Sequence, residues 1–168
     1  MPTVPRIDFA PFFGLIAVEL VRLKVVVDVA RIVPVAVSPE EVPHFTADRD
    51  ILLWPQGETS YQDSATGGGE DDTRAYATLY VVARSRLEMD EAGSDRRRLI
   101  DQSLGHYGFR QQIRGALQLF WPEAGKDAYG VQPMRWVRTQ APKQERANKD
   151  WVYSIIEFEI LYPVDLSR

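Results

Sequence analysis

Two stretches of alternation, Thr73–Glu88 and Trp151–Tyr162, constrain what this chain can fold into more than any other feature. In the first, Ala75, Ala77, Leu79, Val81, Ala83 and Leu87 share one face while Arg74, Tyr76, Thr78, Tyr80, Arg84 and Arg86 share the other, as the two-residue period of a strand requires. In the second, Val152, Ile156, Phe158, Ile160 and Tyr162 lie together, with Glu157 and Glu159 opposite. Each stretch carries a face that must be covered, so a sheet organises the fold. If the two strands pair, the arginines of one can meet the glutamates of the other on the outer face, at roughly 0.2–1 kcal/mol per pair.

With 168 residues, 45% of them hydrophobic, the chain is long enough for one full core and short for two domains of the usual size. The expected fold class is α+β: a single domain over residues 1–168 in which a mixed or mainly antiparallel sheet is flanked by α-helices. A net charge of −4 and a pI near 5.2 argue against general affinity for nucleic acid. The absence of cysteine excludes disulfides, thiolate metal sites and cysteine nucleophiles. Charges at Glu19, Arg22, Lys24, Asp28 and Arg31 interrupt the apolar stretch Ile16–Val37, which argues against a membrane span. The proline-containing start offers no basic segment leading into an uncharged run, so export is not expected.

Asp8 can cap a helix running from about Ala10 to Lys24, in which Phe12 or Phe13, Ile16, Leu20, Leu23 and Val27 recur at helical spacing. Ile32–Val37 reads as a short strand that Pro34 assigns to an edge or an irregular segment. Ile51–Trp54 reads as a second short strand closed by Pro55. Residues 56–72, with Gly57 and the Gly67–Gly69 triplet, are expected to form a mobile connection. After Ser94 or Asp95, two apolar sets follow, Leu99, Ile100, Leu104 and Tyr107, then Phe109, Ile113, Ala116, Leu117 and Phe120. They point in opposite directions around a straight helix. The spacing therefore leaves two alternatives, a break at Gly105 and Gly108, which is preferred, or one helix buried on both sides; Pro122 ends the region. Val131–Thr139 is a candidate strand with Met134 and Trp136 on one face and Arg135 and Val137 on the other, and residues 140–150 are expected as a long hairpin loop.

No constellation for catalysis is legible. His44 and His106 each lack a carboxylate or second histidine at ligand spacing, and they read as a loop residue and a helix-junction residue. Glu70, Asp71 and Asp72 have oxygens suited to a hard cation but, being consecutive, lack the spread of a closed site. Gly67–Gly69 is not followed by Gly-Lys-Ser/Thr, and no Gly-x-Ser-x-Gly elbow occurs. Arg96, Arg97 and Arg98 fan across about 200° of a helix, which suits a solvated helix start. Trp54, Trp121, Trp136 and Trp151 read mainly as packing residues, with one or two as anchors of a subunit contact. The expected catalytic, metal and cofactor assignments are therefore none.

Several phrases resemble the tail-terminator, or tail-completion, proteins of long-tailed bacteriophages and their prophages. They are Val42-Pro-His-Phe-Thr-Ala-Asp-Arg-Asp-Ile-Leu-Leu-Trp-Pro-Gln-Gly57, Leu119-Phe-Trp-Pro-Glu123, Pro133-Met-Arg-Trp-Val137 and Asp150-Trp-Val-Tyr-Ser-Ile-Ile-Glu-Phe-Glu-Ile-Leu-Tyr162. The resemblance implies a structural virion protein, assembled in the host cytoplasm, that forms a ring, commonly a hexamer, at the head-proximal end of the tail. Such a ring stops polymerisation of the tube and joins it to the head connector, so the implied partners are further copies of the chain, the tail tube protein and the connector. The alternatives are a head-completion, neck or other minor tail protein, and, in a different class, a small ligand-binding regulatory module. Glu70, Asp71 and Asp72 on one side and Lys143, Arg146 and Lys149 on the other are the candidate complementary surfaces, around the ring or towards a neighbouring protein.

Overall fold

Long runs of β-branched and aromatic residues build a six-stranded mixed sheet in this computed structural model, which describes residues 9–62, 73–87, 105–121 and 133–163. The elements in chain order are α1 (Phe9–Arg22), β1 (Ile32–Pro34), β2 (Arg49–Gln62), β3 (Thr73–Arg86), α2 (His106–Leu117), β4 (Arg135–Thr139), β5 (Lys143–Gln144) and β6 (Trp151–Pro163). The sheet order is β1-β2-β3-β6-β4, with β5 also paired to β6. Among the described residues only β1 and β2 pair in parallel. The α+β class expected from the sequence is the class of the fold. Among the described residues no helix is long and apolar enough to cross a membrane.

The two alternating stretches do pair, antiparallel, from Arg74↔Pro163 to Arg86↔Trp151 without a register shift. Both helices pack on the face carrying Ala77, Leu79, Val81 and Ala83 of β3 and Ile156, Phe158 and Ile160 of β6. Phe12, Phe13, Ile16 and Leu20 of α1 and Phe109, Ile113 and Leu117 of α2 complete this core at helical spacing. Removing a side chain of this kind from such a core costs about 2–5 kcal/mol. The opposite face holds a smaller cluster of Leu52, Val82, Tyr153 and Ile155, over which Val33, Val35 and Val42 pack. That cover follows from topology, because a parallel β1–β2 pair needs a connection that crosses the sheet.

Several sequence expectations change. Strand β2 does not close at Pro55: it runs to Gln62, with a bulge between Pro55 and Glu58. Partner β1 ends at Pro34↔Leu53, so Pro55 lies where β2 has become an edge and needs no amide on that side. Residues 56–62 are therefore strand, and 63–72 lie outside the described residues. The edge strand β1 is Ile32–Pro34, shorter than expected, with Pro34 at an edge as expected. Residues 140–150 are not one long loop, because Lys143–Gln144 returns to pair with Val152 and Tyr153. Helix α2 starts at His106 after Gly105, at the junction the sequence marks, while the proposed Asp8 cap, the segment from Ser94 with Arg96–Arg98, and Pro122 lie outside the described residues.

Arginine–glutamate pairs form, but from a different strand. Arg135 bonds Glu159 (2.6 Å) and Arg138 bonds Glu157 (2.5 Å), both from β4 instead of β3. The start of β4 is also closed to further strands: Phe120 O accepts from the Met134 amide and Gln118 Oε1 accepts from the Trp136 amide. At its other end, α1 closes with the Val25 amide on Leu20 O and the Lys24 amide on Val21 O. This cap places Lys24 at φ 57, where glycine is the usual residue.

His106 is the polar exception inside the helix-side core. Its Nδ1 meets Ser85 Oγ at 3.0 Å and its Nε2 meets Ser154 Oγ at 2.8 Å, and it is 1% exposed. Burial, reinforced by Arg110 and Arg49, pulls its pKa down to about 3. The unfolded chain therefore binds this proton between about pH 6.5 and 3 while the folded chain does not, and stability is lost as pH falls through that window, at about 1.4 kcal/mol per unit. Denaturant titrations of the wild type and His106→Gln between pH 6 and 4.5 should show a stability difference that narrows by that slope as pH falls. Parallel curves would contradict a buried neutral imidazole.

Candidate functional site

One end of the sheet gathers the polar chemistry of the described residues. Alternation places Arg84 on the outer face of β3, but it does not reach solvent. The connection between β1 and β2 covers it, and it makes a bidentate pair with Asp50 of β2, Nε to Oδ1 at 2.5 Å and Nη2 to Oδ2 at 2.8 Å. Its remaining hydrogens go to the carbonyls of Val42 (2.7 Å), Pro43 (3.3 Å) and Pro39 (3.4 Å), and Phe45 lies against the guanidinium. Two of these acceptors belong to prolines, which accept but cannot donate. Burial pushes the Asp50 carboxyl above its ordinary value, against the hydrogen bonds from Arg84.

Beside this pair, His44 of the same connection stacks on Trp151 with ring centroids 3.8 Å apart. Its Nε2 lies 2.7 Å from Glu145 Oε2, a contact spanning 101 residues of sequence. A carboxylate only accepts, so Nε2 carries the hydrogen. His44 Nδ1 and Glu145 Oε1 are buried without hydrogen-bond partners. The connection is thus held to the turn before β6 by one ring stack and one polar bond. The arrangement positions backbone. Among the described residues no group of three or more His, Cys, Asp or Glu is placed to hold a metal ion.

The exposed surface of this end is of mixed charge, with Glu40, Glu41, Asp48 and Asp150 among the cations. Lys143, Arg146 and Lys149 all lie exposed on β5 and the turn leading to β6. On the helix side of the same end, Lys24, Arg31 and Arg49 line a cleft of about 300 Å³ together with Asp48 and the Val25–Val27 run. Arg31 pairs with Asp48 and also donates to Arg49 O (3.3 Å), while the Arg49 guanidinium sits 5.0 Å over the Phe109 ring. Burial draws Arg49 below its ordinary value, with Asp48 opposing. The other three residues expected at a contact, Glu70, Asp71 and Asp72, lie outside the described residues.

Sequence reasoning missed the Arg84–Asp50 pair, the His44–Glu145 contact and the cleft, all of which join residues distant in sequence. The one available signal was Arg84 itself, a charge adjoining Val82 on a face otherwise read as solvated. Of the tryptophans, Trp151 is buried, Trp54 packs in the outer cluster, Trp136 flanks the main core, and Trp121 is the most exposed.

Removing one partner of a buried ion pair leaves the other charge uncompensated, at a cost of about 3–5 kcal/mol. Asp50→Ala and Arg84→Met should each lose stability of that size in urea titrations. The double variant Asp50→Leu/Arg84→Met should be more stable than Asp50→Ala but still below the wild type, because the Pro39, Val42 and Pro43 carbonyls lose their donors. Single variants within 1 kcal/mol of the wild type, a loss of roughly the size found for exposed pairs, would contradict the role given to this pair.

No protein-family model matches the chain, and no curated protein matches it in sequence.

Proposed function

We propose that the protein is a structural component of a bacteriophage tail, a terminator that assembles as a ring of identical subunits at the head-proximal end of the tube. There it stops tube polymerisation and joins the tube to the head connector. The reading starts from the phrases in residues 42–57, 119–123, 133–137 and 150–162 that resemble that family, and the α+β sheet flanked by helices supports it.

The observation that carries the reading furthest is the polarity of the sheet. Arg49↔Ser85 and Arg86↔Trp151 mark one end, where Lys143, Arg146 and Lys149 and the basic cleft lie. Gln62↔Thr73 marks the other end, and the residues joining that pair include Asp63, Glu70, Asp71 and Asp72 but no lysine or arginine. A cleft lined by Lys24, Arg31 and Arg49 at one end and an acidic connection at the other suit a heterologous contact, in which one surface meets a different surface of the next copy, and such contacts form rings where the rotation between neighbours closes. Charge of this kind mainly steers association and makes it sensitive to salt.

Light scattering on the purified chain should give a discrete mass that is a multiple of 19.1 kDa, six subunits being the number expected, and the mass should fall as salt is raised. Added to tail tubes, the assembly should cap one end in electron micrographs. A monomer at high concentration and low salt would refute the reading, and attachment to tailless heads instead of tubes would move the protein to the neck.

A further inference from the structure

The cleft beside Arg49 differs from the neighbouring hairpin in ways that matter for recognition. Lys143, Arg146 and Lys149 stand on an exposed turn, where water and salt weaken their pull. In the cleft, Arg49 is only half exposed and lies over Phe109, and Arg31 is fixed by Asp48. The walls include Val25 and Val26, which are buried, and the rim carries Val27, 80% exposed. Among the described residues that line it, three cations stand against one carboxylate, in a chain whose net charge is −4. A concave surface on which positive charge predominates concentrates its attraction for an anion.

Lys24 adds an independent sign. It occupies the left-handed position that ends α1, a backbone conformation that glycine adopts without the steric cost of a side chain. A residue kept in an unfavourable backbone conformation beside a cleft points to a use for its side chain. Here that side chain supplies one of the three cations.

We propose that this cleft is the socket for the acidic segment 63–72 of a second copy of the same chain. This deepens the ring reading and rests on it. The segment carries four carboxylates and no base, which complements the socket. A subunit cannot fill its own socket. Arg49 at the cleft and Gln62 beside the segment are the two ends of β2, about 43 Å apart at the rise of a strand. The connection from Gln62 to Thr73, going out and returning, reaches about 17 Å at most. Occupation is therefore intermolecular and joins one end of a subunit to the opposite end of the next, the geometry that propagates around a ring.

Charge reversal with complementation tests the proposal by sedimentation at low salt. One variant, E70K/D71K/D72K, makes the segment basic. The other, K24E/Q112E, leaves two cations against three carboxylates among the described residues that line the cleft. Each alone should associate at least about tenfold more weakly than the wild type, equivalent to about 1.4 kcal/mol. Their equimolar mixture should associate nearly as the wild type does, since each segment then meets a socket of opposite charge. K24G separates folding from association: it should melt no lower than the wild type and still associate more weakly. Reversed variants that assemble normally, or a mixture that stays dissociated, would overturn the socket. So would loss of assembly confined to K143E/R146E/K149E, which would make the hairpin the acceptor. In each of these cases a wild type that forms rings leaves the ring reading standing, whereas a monomeric wild type overturns both.

Discussion

The unbroken antiparallel ladder between β3 and β6 is the constraint on which the rest of the molecule depends. A two-residue period makes register decisive, since a slip of one residue would exchange every buried side chain for its neighbour on the other face. Holding register from Arg74↔Pro163 to Arg86↔Trp151 places Leu79, Val81, Ile156 and Phe158 under the helices and puts Ser85 and Ser154 within reach of His106. The same register turns Val82, Arg84, Tyr153 and Ile155 to the opposite side, where the β1–β2 connection must cover them. It also fixes two distinct sheet ends. Strands of 14 residues span about 46 Å, while helices of 14 and 12 residues span about 21 and 18 Å.

Arg84 is where local pattern and tertiary structure part. By alternation it belongs with Tyr76, Thr78 and Tyr80 on an outward face, and a surface charge is the simplest reading. The fold buries it because a parallel β1–β2 pair sends the intervening chain across that face, and the carbonyls of Pro39, Val42 and Pro43 then need donors. A guanidinium with five donors in a planar fork meets that need, and Asp50 neutralises its charge. His44 and Glu145 fasten the same connection to the turn before β6, so polar contacts to Arg84 and to Glu145 hold it against the outer face at this end of the sheet.

The sheet-centred fold was legible because period-two runs are long in β3 and β6 and period 3.6 is clear in α1 and α2. The faces of β4 were legible too, with Met134 buried and Arg135 and Val137 exposed. Legibility failed wherever the deciding partner was distant in sequence. Pro55 reads as a strand end, yet the length of β1 decides whether β2 needs an amide there. Lys143–Gln144 looks like loop, yet Val152 and Tyr153 offer a ladder to it. His44 has no carboxylate near it in sequence, and Glu145 reaches it only after the sheet has formed. The candidate surfaces named from the sequence were a run of three acids and a loop with three spaced bases. Only the fold puts Lys24, Arg31 and Arg49, none of them part of a run, around one cleft.

A sheet with a cationic cleft at one end and an acidic connection at the other is the subunit proposed here for head-to-tail assembly. Because the chain has no cysteine, a disulfide trap reads that contact directly. With Val27→Cys at the rim of the cleft and Gly68→Cys in the acidic connection, mild oxidation should convert the assembled protein into a ladder of covalent multimers, while either single substitution gives at most dimers. Assemblies that persist under the same oxidation yet yield only monomers on a denaturing gel would contradict the account.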